Sequence, residues 1–194
     1  MKIFRRNLLR STLPPGLDHM KSSSIHVQIR DLHKSYGDHH VLKGVSLDVH
    51  RGKTNLIIGP SGSGKSVLMR QLIRLERPDS GEVWVNGVDY ARLSGLDLDA
   101  GRRTFGMVFQ MSALFDSMTV FDNVAFPLRE HTNLSRREIR DRVMERLGGL
   151  GIGAAAMKMP SELSGGMQKR VAVARAMIVE SEILIYDEPT TGLD

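Results

Sequence analysis

Gly59-Pro60-Ser61-Gly62-Ser63-Gly64-Lys65-Ser66 is the stretch whose reading decides the fold. It fits G-x-x-x-x-G-K-[ST], and both flanks supply the context that this pattern requires. Upstream, Thr54-Asn55-Leu56-Ile57-Ile58 is a short apolar run of the kind that makes a buried strand. Downstream, Val67 to Leu75 places apolar residues at helical spacing. Strand, glycine-rich loop and helix together predict a phosphate cradle. Gly59, Gly62 and Gly64 let the backbone curl so that successive N–H groups, through Ser61 and Ser63, point inward. The helix N-terminus adds its partial positive charge. Lys65 is then expected to reach the β- and γ-phosphates, and the Ser66 hydroxyl to ligate Mg²⁺. A glycine-rich turn that binds nothing would not need every constrained position filled, so a nucleotide-binding protein is expected.

A chain of 194 residues suits one domain with a tail. Its 41% hydrophobic and 25% charged residues match an ordinary globular composition. No apolar run approaches the roughly eighteen residues that span a bilayer, so the chain is not expected to cross a membrane by itself. The absence of cysteine rules out disulfides, thiolate metal sites and a cysteine nucleophile. The formal charge of +5 is spread along the chain, which favours a solvated basic surface over a nucleic-acid site.

Residues 1–24 read as a basic, disordered tail: Arg5, Arg6 and Arg10 interleave with Leu8 and Leu9, and Pro14-Pro15-Gly16 breaks any helix. Met20 before Ser22-Ser23-Ser24 offers an alternative start. From Ile25 the pattern changes. Ile25 to Arg30 and Val45 to Val49 alternate strictly, as half-buried strands do. Glu82 to Val85 is a third strand, ended by the hairpin dipeptide Asn86-Gly87. A polar, leucine-spaced connection leads to Thr104–Gln110, a buried-strand candidate ending in a glutamine. Thr119 to Asp122 opens a helix that Pro127 should end or kink. Ser135-Arg136-Arg137-Glu138 is a capping box, opening a helix with Ile139, Val143, Met144 and Leu147 on one face, stopped by Gly148-Gly149. A third helix is predicted over Met167 to Val179, and Ile183 to Tyr186 is an apolar strand. Strands alternating with helices around a phosphate loop predict an α/β fold. Its mostly parallel sheet is preceded by a smaller antiparallel β-subdomain.

The last strand delivers Asp187-Glu188 at its carboxyl end. Beside a phosphate cradle, such a pair points to a metal-linked acid and a water-activating base. Asp187 would hold Mg²⁺ through its water shell, and Glu188 would polarise the water that attacks the γ-phosphate. The alternative is that both carboxylates simply cap the following turn.

Leu163-Ser164-Gly165-Gly166-Met167-Gln168-Lys169-Arg170 resembles the signature sequence of ABC-transporter ATPase domains, and it stands shortly before the acidic strand as in that family. The resemblance covers Ile25 to Asp194 and implies a P-loop NTPase with a helical subdomain at about 111–163. Ser164, Gly165 and Gly166 at a helix start make a second anion site. In the family this loop closes over ATP held by the phosphate loop of the opposite subunit, which implies a two-fold homodimer. Tyr36 matches the aromatic that stacks on adenine. Gln110 matches the glutamine that contacts Mg²⁺ and the attacking water. Gly192-Leu193-Asp194 matches the loop that crosses the dimer interface. ATP and Mg²⁺ are the implied cofactors.

Met111 to Thr132 has a narrower resemblance, to the ATPases of MCE-type (Mla-like) phospholipid transporters, and Met167 agrees with that branch. The resemblance implies a membrane permease and a lipid-binding MCE protein as partners, and a peripheral position on the cytoplasmic face of the inner membrane. Leu114, Phe115, Phe121 and Phe126 would form the groove that receives the permease's coupling helix. An importer or exporter of another small solute is the alternative. A non-transport ABC ATPase fits less well. Ribosome-acting members carry two such units, and DNA-repair members place coiled coils between phosphate loop and signature. The family also carries a γ-phosphate-sensing histidine beyond the acidic strand. All seven histidines here precede the signature, so the sequence reads as incomplete at its carboxyl end. The expectation is a chain that binds nucleotide but turns it over poorly.

Overall fold

The computed structural model describes residues 24–110 and 112–187. The chain divides into two compact units, Met1–Ser94 and Gly95–Asp194.

In the first unit, β1 (Ile25–Tyr36) and β2 (His39–His50) form a long antiparallel hairpin. Alternation puts Val27 and Ile29 inside, yet the next buried residue is Leu32 rather than residue 31. A bulge supplies the extra residue. Asp31 adopts φ 47°, its N–H donates to Ser46 Oγ at 2.9 Å, and the register with β2 shifts between Ile29 and Leu32. One inserted residue restores the inward face that a strict period of two would have lost. β3 (Ser80–Val85) pairs antiparallel with β1, setting Val83 opposite Ile29 and Val85 opposite Val27. β4 (Val88–Asp89) then turns back through Asn86 and Gly87, both at positive φ, the turn expected from this dipeptide. The sheet order is β2-β1-β3-β4. Helix α1 (Lys65–Leu72) buries Leu68, Gln71 and Leu72.

The strand expected over Thr54–Ile58 is not present: no ladder among the described residues includes it, and Leu56 and Ile58 are 79% and 84% exposed. The run has the composition of a buried strand, but a strand is made by its neighbours. The sheet of this unit is antiparallel and ends on β2 and β4. Helix α1 is also shorter than expected, because Arg74 at φ 53° turns the chain out of helical geometry.

In the second unit, the polar connection contains a helix, α2 (Gly95–Arg102), which buries nothing. β5 (Phe105–Val108) and β6 (Ile183–Tyr186) pair in parallel, with Val108 opposite Tyr186. Helix α5 (Gly165–Met177) approaches β5 so closely that a Cβ on Gly106 would lie 2.4 Å from Ala176 O. Helices α3 (Val120–His131) and α4 (Arg136–Gly149) complete a helical core with α5, in which Val124, Leu128, Val143, Leu147 and Val171 are fully buried.

Thr119 caps α3 reciprocally, its Oγ1 accepting from Asp122 N–H and donating to the Asp122 carboxylate at 2.7 Å. That hydroxyl, with Arg129, holds the Asp122 carboxyl below its ordinary range. Pro127 does not end α3, which runs on to His131. Val124, Ala125 and Leu128 are buried on either side of it, and this packing outweighs one lost backbone bond. The Ser135–Glu138 capping box forms as expected. Met144, expected on the inner face of α4, is 39% exposed: it stands next to Val143, about 100° around the helix from it.

Candidate functional site

The phosphate loop lies wholly in the first unit. Gly64 is the N-cap of α1 at φ 92°, a left-handed conformation, and a Cβ there would sit 2.9 Å from Val41 Cγ1. Both constraints demand glycine. The loop closes on itself: Ser63 N–H donates to Pro60 O at 3.2 Å, while Lys65 Nζ donates to Gly59 O at 3.0 Å and Pro60 O at 3.1 Å. The ammonium is thus folded over the loop, and Ser61, Gly62 and Ser63 remain exposed. Ser66 follows in the first turn of α1.

Tyr36 ends β1 and is 45% exposed. Its hydroxyl donates to Glu76, which raises the phenol pKa above its ordinary value. Lys34 Nζ lies 5.6 Å from the ring centroid.

In the second unit the parallel pair carries two candidate residues to one edge. Gln110 stands two residues beyond β5 and is exposed. Asp187 follows β6 directly, half-buried, and its N–H donates to Val108 O at 3.0 Å. Parallel strands in register must release their following residues at the same carboxyl edge, where ligands bind in such sheets. Glu188 and Asp194 lie outside the described residues, as does Met111.

The loop after Gln110 is held by two residues that the sequence did not reveal. Ser112 and Ala113 are consecutive non-glycine residues at positive φ, 59° and 46°. Arg175 of α5 donates to Ser112 O at 3.1 Å and sets its guanidinium 5.6 Å from the Phe115 ring. Burial pushes this arginine's pKa down. Asn123 of α3, completely buried, accepts from Phe115 N–H at 2.8 Å and donates to Phe115 O, Met118 O and Thr119 O at 3.1 Å. An asparagine on the apolar face of Val120, Val124 and Leu128 was the available signal. In the expected groove, Phe115 is 41% exposed and tilts against Phe126 at 5.0 Å, while Leu114 and Phe121 pack on the helical core.

Ser164 is the N-cap of α5, its Oγ accepting from Met167 N–H at 3.3 Å. Gly165 and Gly166 are exposed, and a Cβ on either would meet nothing within 4 Å. The helix N-termini also divide by charge. α2, α3 and α4 carry Asp97, Asp122 and Glu138 in their first turns, whereas α1 and α5 carry no acid there. The helices opening at the phosphate loop and at Ser164 therefore keep their positive ends available to an incoming anion.

For Mg²⁺ the candidate donors are a hydroxyl (Ser66), an amide (Gln110) and a carboxylate (Asp187), all hard oxygen ligands that suit it. Among the described residues no group of three or more His, Cys, Asp or Glu could hold a metal. The donor set fits an ion that takes most of its coordination from water and nucleotide phosphates. No described helix is long and apolar enough to cross a membrane.

A family model described as ABC transporter matches residues 42–191. The chain is 43% identical over 179 residues to the probable ribonucleotide transport ATP-binding protein mkl of Mycobacterium leprae (strain TN), covering 92% of this chain and 52% of that one. It is 44% identical over 168 residues to the intermembrane phospholipid transport system ATP-binding protein MlaF of Escherichia coli (strain K12), covering 87% and 62%. The chain thus spans about half the length of the first relative and under two thirds of the second. Among solved structures it is similar to the dimeric, post-hydrolysis ATP-binding cassette MJ0796 bound to ADP and Pi. The TM-score is 0.80 and the identity 35%, with 87% of this chain and 76% of that one covered.

Proposed function

Because the chain belongs to the ABC transporter family, we propose that it is the ATP-binding, ATP-hydrolysing subunit that powers a phospholipid transporter of the MCE type. The observation that carries the nucleotide half is the phosphate loop, whose Lys65 lies folded over it at the open end of α1. On binding, Lys65 exchanges the carbonyls of Gly59 and Pro60 for phosphate oxygens, and the N–H groups of Gly62 to Ser66 complete the cradle. Tyr36 stacks on the base. Mg²⁺, when bound, neutralises charge on the phosphates; Ser66, Gln110 and Asp187 are the residues that would hold it. Gln110 orients the attacking water and Glu188 accepts its proton. Ser164, Gly165 and Gly166, open and with no acid in the first turn of α5, bind the γ-phosphate held by a second copy of the chain, and Asp194 is assigned to that interface.

The proposed partners are that second copy, an integral-membrane permease seated on the Phe115–Phe126 surface, and a lipid-binding MCE protein. The complex would lie on the cytoplasmic face of the inner membrane. Support for phospholipid as cargo is the resemblance over Met111–Thr132 together with the identity to MlaF. The relative named for ribonucleotide transport supports another small solute instead. Reconstitution with its permease in vesicles tests the two. Phospholipid should raise ATP turnover, and Glu188→Gln should abolish it. Stimulation by ribonucleotides in place of phospholipid would overturn the cargo, and turnover that survives Glu188→Gln would overturn the mechanism.

A further inference from the structure

We propose that Glu76 is a positioning residue for the nucleotide base, acting by locking the Tyr36 ring in place as a stacking platform. The inference rests on the reading of Tyr36 as the residue that meets the base, and it assigns the part that holds it.

Tyr36 stands at the tip of the β1–β2 hairpin, 45% exposed, where packing alone would leave its ring free to turn. Its hydroxyl donates to Glu76 Oε2, while the other carboxylate oxygen accepts from Arg70 Nη1 at 3.3 Å. Arg70 belongs to α1, and its carbonyl accepts from Leu75 N–H at 3.0 Å, so the turn that presents Glu76 is fastened to the end of that helix. The two residues before Tyr36 are tied to the same segment. Lys34 Nζ donates to Arg77 O at 2.8 Å and to Asp79 Oδ1 at 3.0 Å, and Ser35 N–H donates to Asp79 Oδ2 at 2.6 Å. Three consecutive residues of β1 are therefore bound to residues 76–79.

Two consequences follow from this geometry. The Lys34 ammonium lies 5.6 Å from the ring centroid. A base can then stack on the ring with the cation completing the layer, an arrangement that favours a π-rich partner. Further, α1 begins at Lys65, so the element that opens on the phosphate loop also carries, in its last turn, Arg70, whose guanidinium and carbonyl hold the turn bearing Glu76. Base and phosphate contacts are held in register by one helix. A platform already fixed before the ligand arrives binds with less loss of side-chain freedom. The hydrogen bond to Glu76 raises the phenol pKa, as expected of a hydroxyl that serves as the donor in this lock.

Affinities of the full chain for ATP and for inorganic triphosphate, measured by titration calorimetry, test the assignment. Glu76→Ala and Tyr36→Phe should each weaken ATP by about three- to ten-fold, the net worth of one ordinary hydrogen bond, since the pair lies at an exposed site. Triphosphate binding should be unchanged, which also shows that the variants are folded. The double variant should be no weaker than either single one, because both remove the same bond. Glu76→Gln, which retains an acceptor, should restore ATP affinity to within about two-fold. Unchanged ATP affinity in Glu76→Ala, or a parallel loss for triphosphate, would overturn the role of Glu76. Unchanged ATP affinity in Tyr36→Ala would instead remove the platform itself.

Discussion

Two turns rich in serine and glycine open helices in this molecule, and they are built differently. At the phosphate loop the chain supplies its own constraints. Gly64 is forced by its backbone angle and by Val41, and Lys65 folds onto the carbonyls of Gly59 and Pro60. At Ser164 the chain supplies only a cap. Gly165 and Gly166 have ordinary helical backbones at an open surface, where nothing within the chain would obstruct a side chain. Yet both helices lack the first-turn acid that α2, α3 and α4 possess. The first turn has reasons within its own unit for its glycine and for the placing of its lysine. The second has the electrostatics of a site without an internal reason for its glycines, as expected of a surface that works only against another molecule.

Substitutions should separate the two turns. The largest effect belongs to Lys65→Ala, which removes a cation from the phosphates. ATP affinity should fall by on the order of 100-fold or more by calorimetry, while Ser164→Arg changes it by less than about two-fold. Equal losses would erase the distinction. Next comes Asn123→Ala, which strips Phe115 of its partners inside the second unit and should cost about 2–3 kcal/mol in denaturant unfolding. A cost under about 0.5 kcal/mol would mean that the loop after Gln110 is held by other groups. Gly64→Ala should cost about 1–3 kcal/mol through its left-handed backbone and the Val41 contact. Gly165→Ala should cost no more than about 0.5 kcal/mol and would gain in helix propensity. A large cost at Gly165 would reveal an internal role that its surroundings do not show.

The smallest effect concerns a helix start that the chain fills itself. Ser135 holds the Glu138 carboxyl below its ordinary range, first through its hydroxyl and then through its N–H. A depressed folded-state pKa stabilises above the ordinary carboxylate value near 4.3, and that stability is lost as pH falls through the folded value. Acidification below about pH 4 should therefore loosen the start of α4, and Glu138→Gln should remove that pH dependence. The titration of Glu138 by NMR would show it. A midpoint at or above the ordinary value would contradict the cap.

Much of this was legible because it is local. Asn86-Gly87 fixes its hairpin, Ser135 and Glu138 fix the start of α4, and the apolar run Ile183–Tyr186 does become β6. What escaped the sequence depends on distant partners. Thr54–Ile58 has the residues of a strand but no neighbour within its unit, and Pro127 sits in a helix because the core around Val124 and Leu128 holds it. The bulge at Asp31 extends β1 beyond its simple alternation, and only the pairing with Ser46 shows where. At the proposed site, motifs pointed to the candidate residues, but not to Asn123, Arg175 or Glu76, which hold Phe115, Ser112 and Tyr36. Their partners are 8, 63 and 40 positions away in the chain, and no short pattern records such a pairing.

The central claim is that the turn at Ser164 acts on a second copy of the chain. Sedimentation velocity with ATP and Mg²⁺, in a Glu188→Gln background that prevents turnover, tests it directly. The chain should pass from monomer to dimer on adding ATP, and the further change Ser164→Arg should leave a monomer that still binds ATP with unaltered affinity. A Ser164→Arg chain that dimerises as before, or one that loses ATP as a monomer, would contradict the account.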